Sequence, residues 1–200
     1  MRLATKALSW VGAYGDCAMI KSLFLSAILF TSFSASGQGN EHCRAKGNPQ
    51  IIEVFNTAKL LNARFKASVG RPGEGEYQRL RKEVEQYGET TVMPCVSRAA
   101  QRMAKRADPR LMHGLMELLV SYENSADETM SYSMGRLFAA DPAAVERALK
   151  AFSPIERKLI SDSIQAGWIN VKPEYSSALG KDREERLEKL LSSVDGSPAQ

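Results

Sequence analysis

Reactive side chains are scarce in this 200-residue chain, which has two histidines and three cysteines. Their spacing limits the chemistry open to it. His113 and Glu117 stand four residues apart in a stretch of helical period, so both can share one helix face. A catalytic zinc takes about three protein ligands, and no third ligand at suitable spacing accompanies this pair. We expect no metal site and no cofactor, and read the pair as the polar rim of a helix. Ser133, Ser161 and Ser163 lack the G-x-S-x-G setting of a serine hydrolase. Arg71-Pro72-Gly73-Glu74-Gly75 is glycine-rich, but without the lysine and helix start of a phosphate-binding loop it reads as a turn. No residue is singled out as catalytic.

Cys43 and Cys95 are the even pair left once an N-terminal export segment carrying Cys17 is set aside. In an oxidising compartment such a pair forms a disulfide. The loop closed would be about fifty residues, for which chain entropy predicts about 4 kcal/mol of stabilisation. His42 adjoins Cys43, but adjacency in sequence does not activate a thiol.

Two further groups bear on binding. Met112, Met116, Met130 and Met134 cluster in two central helices, at a spacing that reads as core. Met116 is the exception, placed near the edge of its stripe. The acids Glu117, Glu123, Asp127 and Glu128 surround the turn between those helices and form a face able to receive a basic partner. Met116, Glu117, His113, Glu123 and Asp127 are therefore the candidate binding surface.

The elements that must position these residues are all helical. Pro49 opens a first helix with Ile51, Val54, Phe55, Ala58, Leu61 and Phe65 on one stripe and Gly70 as its end. A second carries Tyr77, Leu80, Val84 and Tyr87 and stops at Gly88. A third starts near Thr91 with Pro94 in its first turn and buries Val92, Val96, Ala99, Ala100 and Met103. Asp108-Pro109 opens a helix with Leu111, Met112, Leu115, Leu118, Leu119 and Tyr122. Ser125-Ala126-Asp127-Glu128 reads as a capping box before Met130, Met134, Leu137 and Phe138. Asp141-Pro142 opens a helix with Val145, Ala148, Leu149 and Phe152. Ser153-Pro154-Ile155-Glu156 is a second capping box, ahead of Ile155, Leu159, Ile160 and Ile164, with Gly167 as the stop. Trp168 to Pro173 reads as an extended connector, with Trp168 and Ile169 packed back onto the core. A charged last helix spans 181–193.

Asp108-Pro109 and Asp141-Pro142 are 33 residues apart, and each introduces two helices joined by a short turn. On this spacing the region resembles helical repeats of the HEAT type, which implies stacked antiparallel helix pairs. A compact bundle whose helices share the same caps fits the pattern equally. The expected fold is all-α, a single domain of about seven to eight helices.

The chain ends set the address. Met19-Ile20-Lys21-Ser22, the apolar run Leu23 to Phe30 and the small residues Ser34-Ala35-Ser36-Gly37 together form an export signal over 19–37. Residues 1–18 read as an over-called start. The apolar stretch from Leu23 to Phe33 is too short for the roughly 20 residues that span a bilayer, so no stable membrane anchor is expected. The remaining domains are an arm at 38–47, the helical domain at 48–194 and a disordered tail at 195–200.

Cleavage would remove three of the 27 basic and one of the 23 acidic residues, lowering the net charge from +4 to +2. The remaining basic residues are interspersed with acids, as in Arg79 to Glu85, and the one dense basic run, Arg98 to Arg106, reads as a solvated helix face. Nucleic acid is therefore not expected as a partner.

These observations lead to an exported, periplasmic or secreted, non-enzymatic protein that binds another protein, either as an inhibitor or immunity-like protein or as an envelope assembly factor. Two alternatives remain. One is an envelope enzyme assembled from scattered residues such as Glu117, His113, Asp127 and Arg136. The other is a carrier of a small apolar ligand between helices.

Overall fold

Good caps and apolar stripes at helical spacing produce helices throughout. The computed structural model describes residues 43, 46–69, 74–122 and 128–195. The described residues form eight α-helices and no strand. They are α1 (Asn48–Ser68), α2 (Glu74–Tyr87), α3 (Met93–Met103), α4 (Pro109–Ser121), α5 (Thr129–Ala140), α6 (Pro142–Leu149), α7 (Pro154–Val171) and α8 (Ser177–Asp195). The protein is all-α, as expected. The export segment at 19–37, Gly70, most of the capping box at 125–128 and the tail beyond 195 lie outside the described residues.

Local signals place several helix starts correctly. Asp108 accepts hydrogen bonds from the Arg110 and Leu111 amides at 3.0 and 3.1 Å, with Pro109 following where its missing N–H costs nothing. Asp141 accepts from the Ala144 amide at 2.9 Å. At α7 the capping box is complete: Glu156 N–H donates to Ser153 Oγ, and Ser153 N–H donates to Glu156 Oε2 at 2.9 Å. The Ser153 amide holds the Glu156 carboxyl below its ordinary pKa, with the Ser153 hydroxyl contributing.

The glycines behave otherwise. Gly88 does not stop α2. The chain passes through a π turn (Gly88–Val92) straight into α3, and the Met93 amide donates to the Gly88 carbonyl. A glycine ends a helix by turning left-handed, whereas Tyr87 and Met93 on either side keep right-handed φ values of −65° and −64°. Gly75, expected in a loop, lies in the first turn of α2.

Gly167 does not end α7 either. The helix runs on to Val171 and then into a 3-10 turn (Lys172–Glu174). What was expected as an extended connector is therefore helical. Trp168 is buried as anticipated, but Ile169 is 66% exposed. Ile155 also departs from the expected stripe, at 82% exposed. The buried stripe of α7 holds Ile160, Ser161, Ile164, Gly167, Trp168 and Val171. Ile155 precedes Ile164 by nine residues, about two and a half turns, and so points the opposite way.

In α1, the buried stripe runs through Ile51, Val54, Phe55 and Ala58 to Asn62, while Leu61 is only half-buried. The Asn62 amide donates to the Ser121 carbonyl, which gives it a partner at the C-terminal end of α4. Phe65 stacks on Tyr77 with ring centroids 5.3 Å apart, tying α1 to α2.

A single apolar core joins these elements. Phe55, Phe138, Leu111, Leu115, Ile160 and Ile164 are among its fully buried side chains, each worth about 1.5–3 kcal/mol of transfer free energy. Cys43 and Cys95 are bridged, with Cα atoms 5.3 Å apart, and both are fully buried. The bridge fastens the segment before α1 to the first turn of α3.

Helices α5 and α7 cross at small residues. The Ser131 and Ser163 hydroxyls are 2.8 Å apart, and Gly135 meets Gly167 one turn further along each helix. Both contacts join residues 32 apart, so the two helices run in the same sense across the crossing.

Candidate functional site

Three helices leave a groove between them. Helix α1 contributes Asn48, Pro49, Ile52 and Asn56, a set at i, i+1, i+4 and i+8. Helix α4 contributes Pro109, Arg110, Met112, His113 and Glu117. Helix α6 and the turn after it add Ala144, Arg147, Ala148 and Ala151. The groove has a volume of about 980 Å³. Its walls are apolar or small at Ile52, Met112, Ala144, Ala148 and Ala151, with polar groups along its length.

The floor is set by the approach of α1 to α4. Gly114 is buried there, and a Cβ at this position would sit 3.7 Å from Phe55 Cδ2, an ordinary contact. One end is fixed by a chain of hydrogen bonds across three helices. Arg102 Nη1 donates to Asn48 Oδ1 at 3.1 Å, and Asn48 Nδ2 donates to Asp108 Oδ2 at 2.7 Å. The Asn48 amide, joined by the Leu111 and Arg110 amides and by the Arg110 charge, holds the Asp108 carboxyl below its ordinary pKa.

Further along the groove, Glu117 is clamped from two sides. Lys59 Nζ lies 2.6 Å from Glu117 Oε2, and His113 Nε2 lies 3.4 Å from Glu117 Oε1. The His113 ring packs against Phe152 with centroids 4.8 Å apart. A carboxylate held by a lysine and a helix neighbour is a positioned, charge-compensated group.

The structure thus brings together two residues of the expected binding surface, His113 and Glu117. Met116 does not join them. It is fully buried, because the side of α4 it occupies packs into the core beside Leu115 and Leu119, and it offers no surface. Glu123 and Asp127 lie outside the described residues. Of the residues considered for an assembled enzyme site, Arg136 belongs to a different cluster. Its Nη2 reaches Glu174 Oε2 at 2.7 Å, and its guanidinium lies 4.9 Å over the Tyr132 ring. Tyr132 donates its hydroxyl hydrogen to Glu174 Oε1, also at 2.7 Å. This bond, with Arg136 contributing, lowers the Glu174 pKa; the same bond raises that of Tyr132, against the opposing pull of Arg136. Among the described residues no group of three or more His, Cys, Asp or Glu side chains is placed to hold a metal ion. No helix of the described residues is long and apolar enough to cross a membrane.

Sequence reasoning missed the third wall. Ala144, Ala148 and Ala151 repeat at helical spacing, which was the only available signal, and small residues in a helix read equally well as packing. It also missed a second hollow of about 560 Å³ that shares Asn48, Asp108 and Arg110 with the groove and is lined in addition by Arg102 and Arg106. In sequence the basic run has only the pattern of a solvated face.

No family model matches the chain, and no curated protein or solved structure is significantly similar to it.

Proposed function

We propose that this is an exported, non-enzymatic helical protein that works by binding another protein, and that the partner enters the groove between α1, α4 and α6. The observation carrying this reading is the groove itself. It is long and open, walled by Ile52, Met112 and three alanines. Its two carboxylates are already committed, Glu117 to Lys59 and Asp108 to Asn48 and the α4 amides. Apolar walls with a few fixed polar groups suit an amphipathic segment laid between helices. Export is supported by the n-region, apolar run and small residues over 19–37 and by the Cys43–Cys95 bridge, which persists in an oxidising compartment. An inhibitor of the immunity type and an envelope assembly factor are the two forms this reading takes.

The test is photo-crosslinking in envelope extract, comparing the wild-type chain with Ala151→Trp. Ala151 is exposed and lines the groove, so the indole fills the groove without entering the core. One crosslinked partner that disappears with Ala151→Trp is the expected result. Hydrolase activity lost on His113→Ala or Glu117→Ala, with no partner recovered, would overturn the proposal in favour of an enzyme.

A further inference from the structure

The charge around the groove points to the chemistry of what enters it. Arg110 and Arg147 line the groove, and Arg102 and Arg106 line the hollow continuous with it. Among the described residues, Arg106 and Arg147 make no ion pair, and Arg102 donates only to the neutral Asn48 amide. Arg110 has only the field of Asp108, whose oxygens are occupied by Asn48 and the Arg110 and Leu111 amides. Glu117, the other carboxylate of the groove, is balanced by Lys59. Four guanidinium groups therefore surround one end and one wall of an apolar trough with their charge largely uncompensated.

Guanidinium groups pair with carboxylates through two parallel hydrogen bonds and are weakly hydrated, which suits them to interfaces. We infer that the groove takes an acidic amphipathic segment of a partner protein, its apolar side chains against Ile52, Met112 and Ala148 and its carboxylates toward Arg102, Arg106, Arg110 and Arg147. This differs from the basic partner expected at the turn of Glu117, Glu123, Asp127 and Glu128, of which Glu123 and Asp127 lie outside the described residues. It rests on the protein-binding reading proposed above. The cause is geometric: Glu117 turns toward Lys59, while Arg102, Arg106 and Arg110, close together in sequence around the α3–α4 turn, are met by Arg147 of α6.

The experiment is selection of a random twelve-residue peptide library displayed on phage, against the full-length, disulfide-bonded chain and against Ala151→Trp. Circular dichroism checks that both proteins are helical. The expected result is enrichment of net-acidic peptides with apolar residues at helical spacing, absent with Ala151→Trp. The affinity of a synthesised winner should fall at least tenfold in Arg106→Gln/Arg147→Gln and weaken as salt rises. Enrichment of neutral or basic peptides that Ala151→Trp abolishes would overturn the acidic assignment and leave the protein-binding reading standing. No enrichment over Ala151→Trp would overturn both. A wild-type dimer dissociated by Ala151→Trp, seen by sedimentation, would assign the groove to a second copy of the chain. Binding of dodecanoate that Ala151→Trp removes would assign it to a small amphiphile. Either result would overturn the inference.

Discussion

Gly135 and Gly167 are opposed where α5 crosses α7: a Cβ on Gly135 would lie 2.6 Å from the Gly167 carbonyl oxygen, and one on Gly167 would lie 2.9 Å from the Gly135 nitrogen. The obstacles are backbone atoms, which cannot swing aside as a side chain can. Alanine at either position forces the helices apart, and overpacking of this kind costs about 3 kcal/mol. Gly114 and Gly180 also sit inside helices, but a Cβ meets ordinary contacts at the first and open space at the second. There alanine removes the helical cost of glycine and should stabilise by about 0.5–1 kcal/mol. Thermal denaturation of the four single variants should therefore give opposite signs for the two pairs. Equal shifts in all four would remove the close crossing as their cause.

The Cys43–Cys95 bridge closes a loop of 52 residues in sequence separation. On the chain-entropy account its loss destabilises by about 4 kcal/mol. Cys43→Ser/Cys95→Ser, or the wild-type chain under reductant, should unfold at markedly lower denaturant than the oxidised protein. Non-reducing mass measurement should find the oxidised chain two protons lighter than the reduced one.

Asp108 makes the groove end sensitive to acid. Its folded pKa lies below the unfolded value because Asn48 and the α4 amides donate to the charged form. Its contribution is thus complete above the unfolded value of about 3.9 and is lost as pH falls through the lower folded value. Asn48→Ala should raise the Asp108 pKa toward the ordinary range, as read by an NMR titration, and move acid unfolding to higher pH. Asp108→Ala removes the cap of α4 as well, a loss of about 1–2 kcal/mol at neutral pH.

Ile155 and Ile164 lie on the same helix with opposite fates. Ile164 is fully buried and Ile155 is 82% exposed. Ile164→Ala should cost about 3 kcal/mol through lost transfer energy and the cavity left behind. Ile155→Ser should stay within about 0.5 kcal/mol. Urea unfolding curves of the two variants measure the contrast directly.

What could be read from the chain alone was mostly local. Asp108, Asp141 and Ser153 mark helix starts because a cap bonds only to amides two or three residues away. The stripes of α3, α4 and α5 are legible because 3.6-residue periodicity needs no knowledge of the partner helix. The pairing of Cys43 with Cys95 followed from there being just two cysteines after the export segment. Tertiary structure decided the rest, for reasons that lie between helices. Whether a glycine ends a helix or admits a neighbour depends on what approaches it, so Gly88 and Gly167 carry the sequence pattern of a stop while the helical path runs on through both. Met116 is buried because both flanks of α4 are covered, which one stripe could not reveal. The groove draws on residues from Asn48 to Ala151, and the direction in which Glu117 turns depends on Lys59 in another helix. The residue types were visible in sequence; which charges are neutralised and which are left without an ion pair is decided only when α1, α3, α4 and α6 pack together.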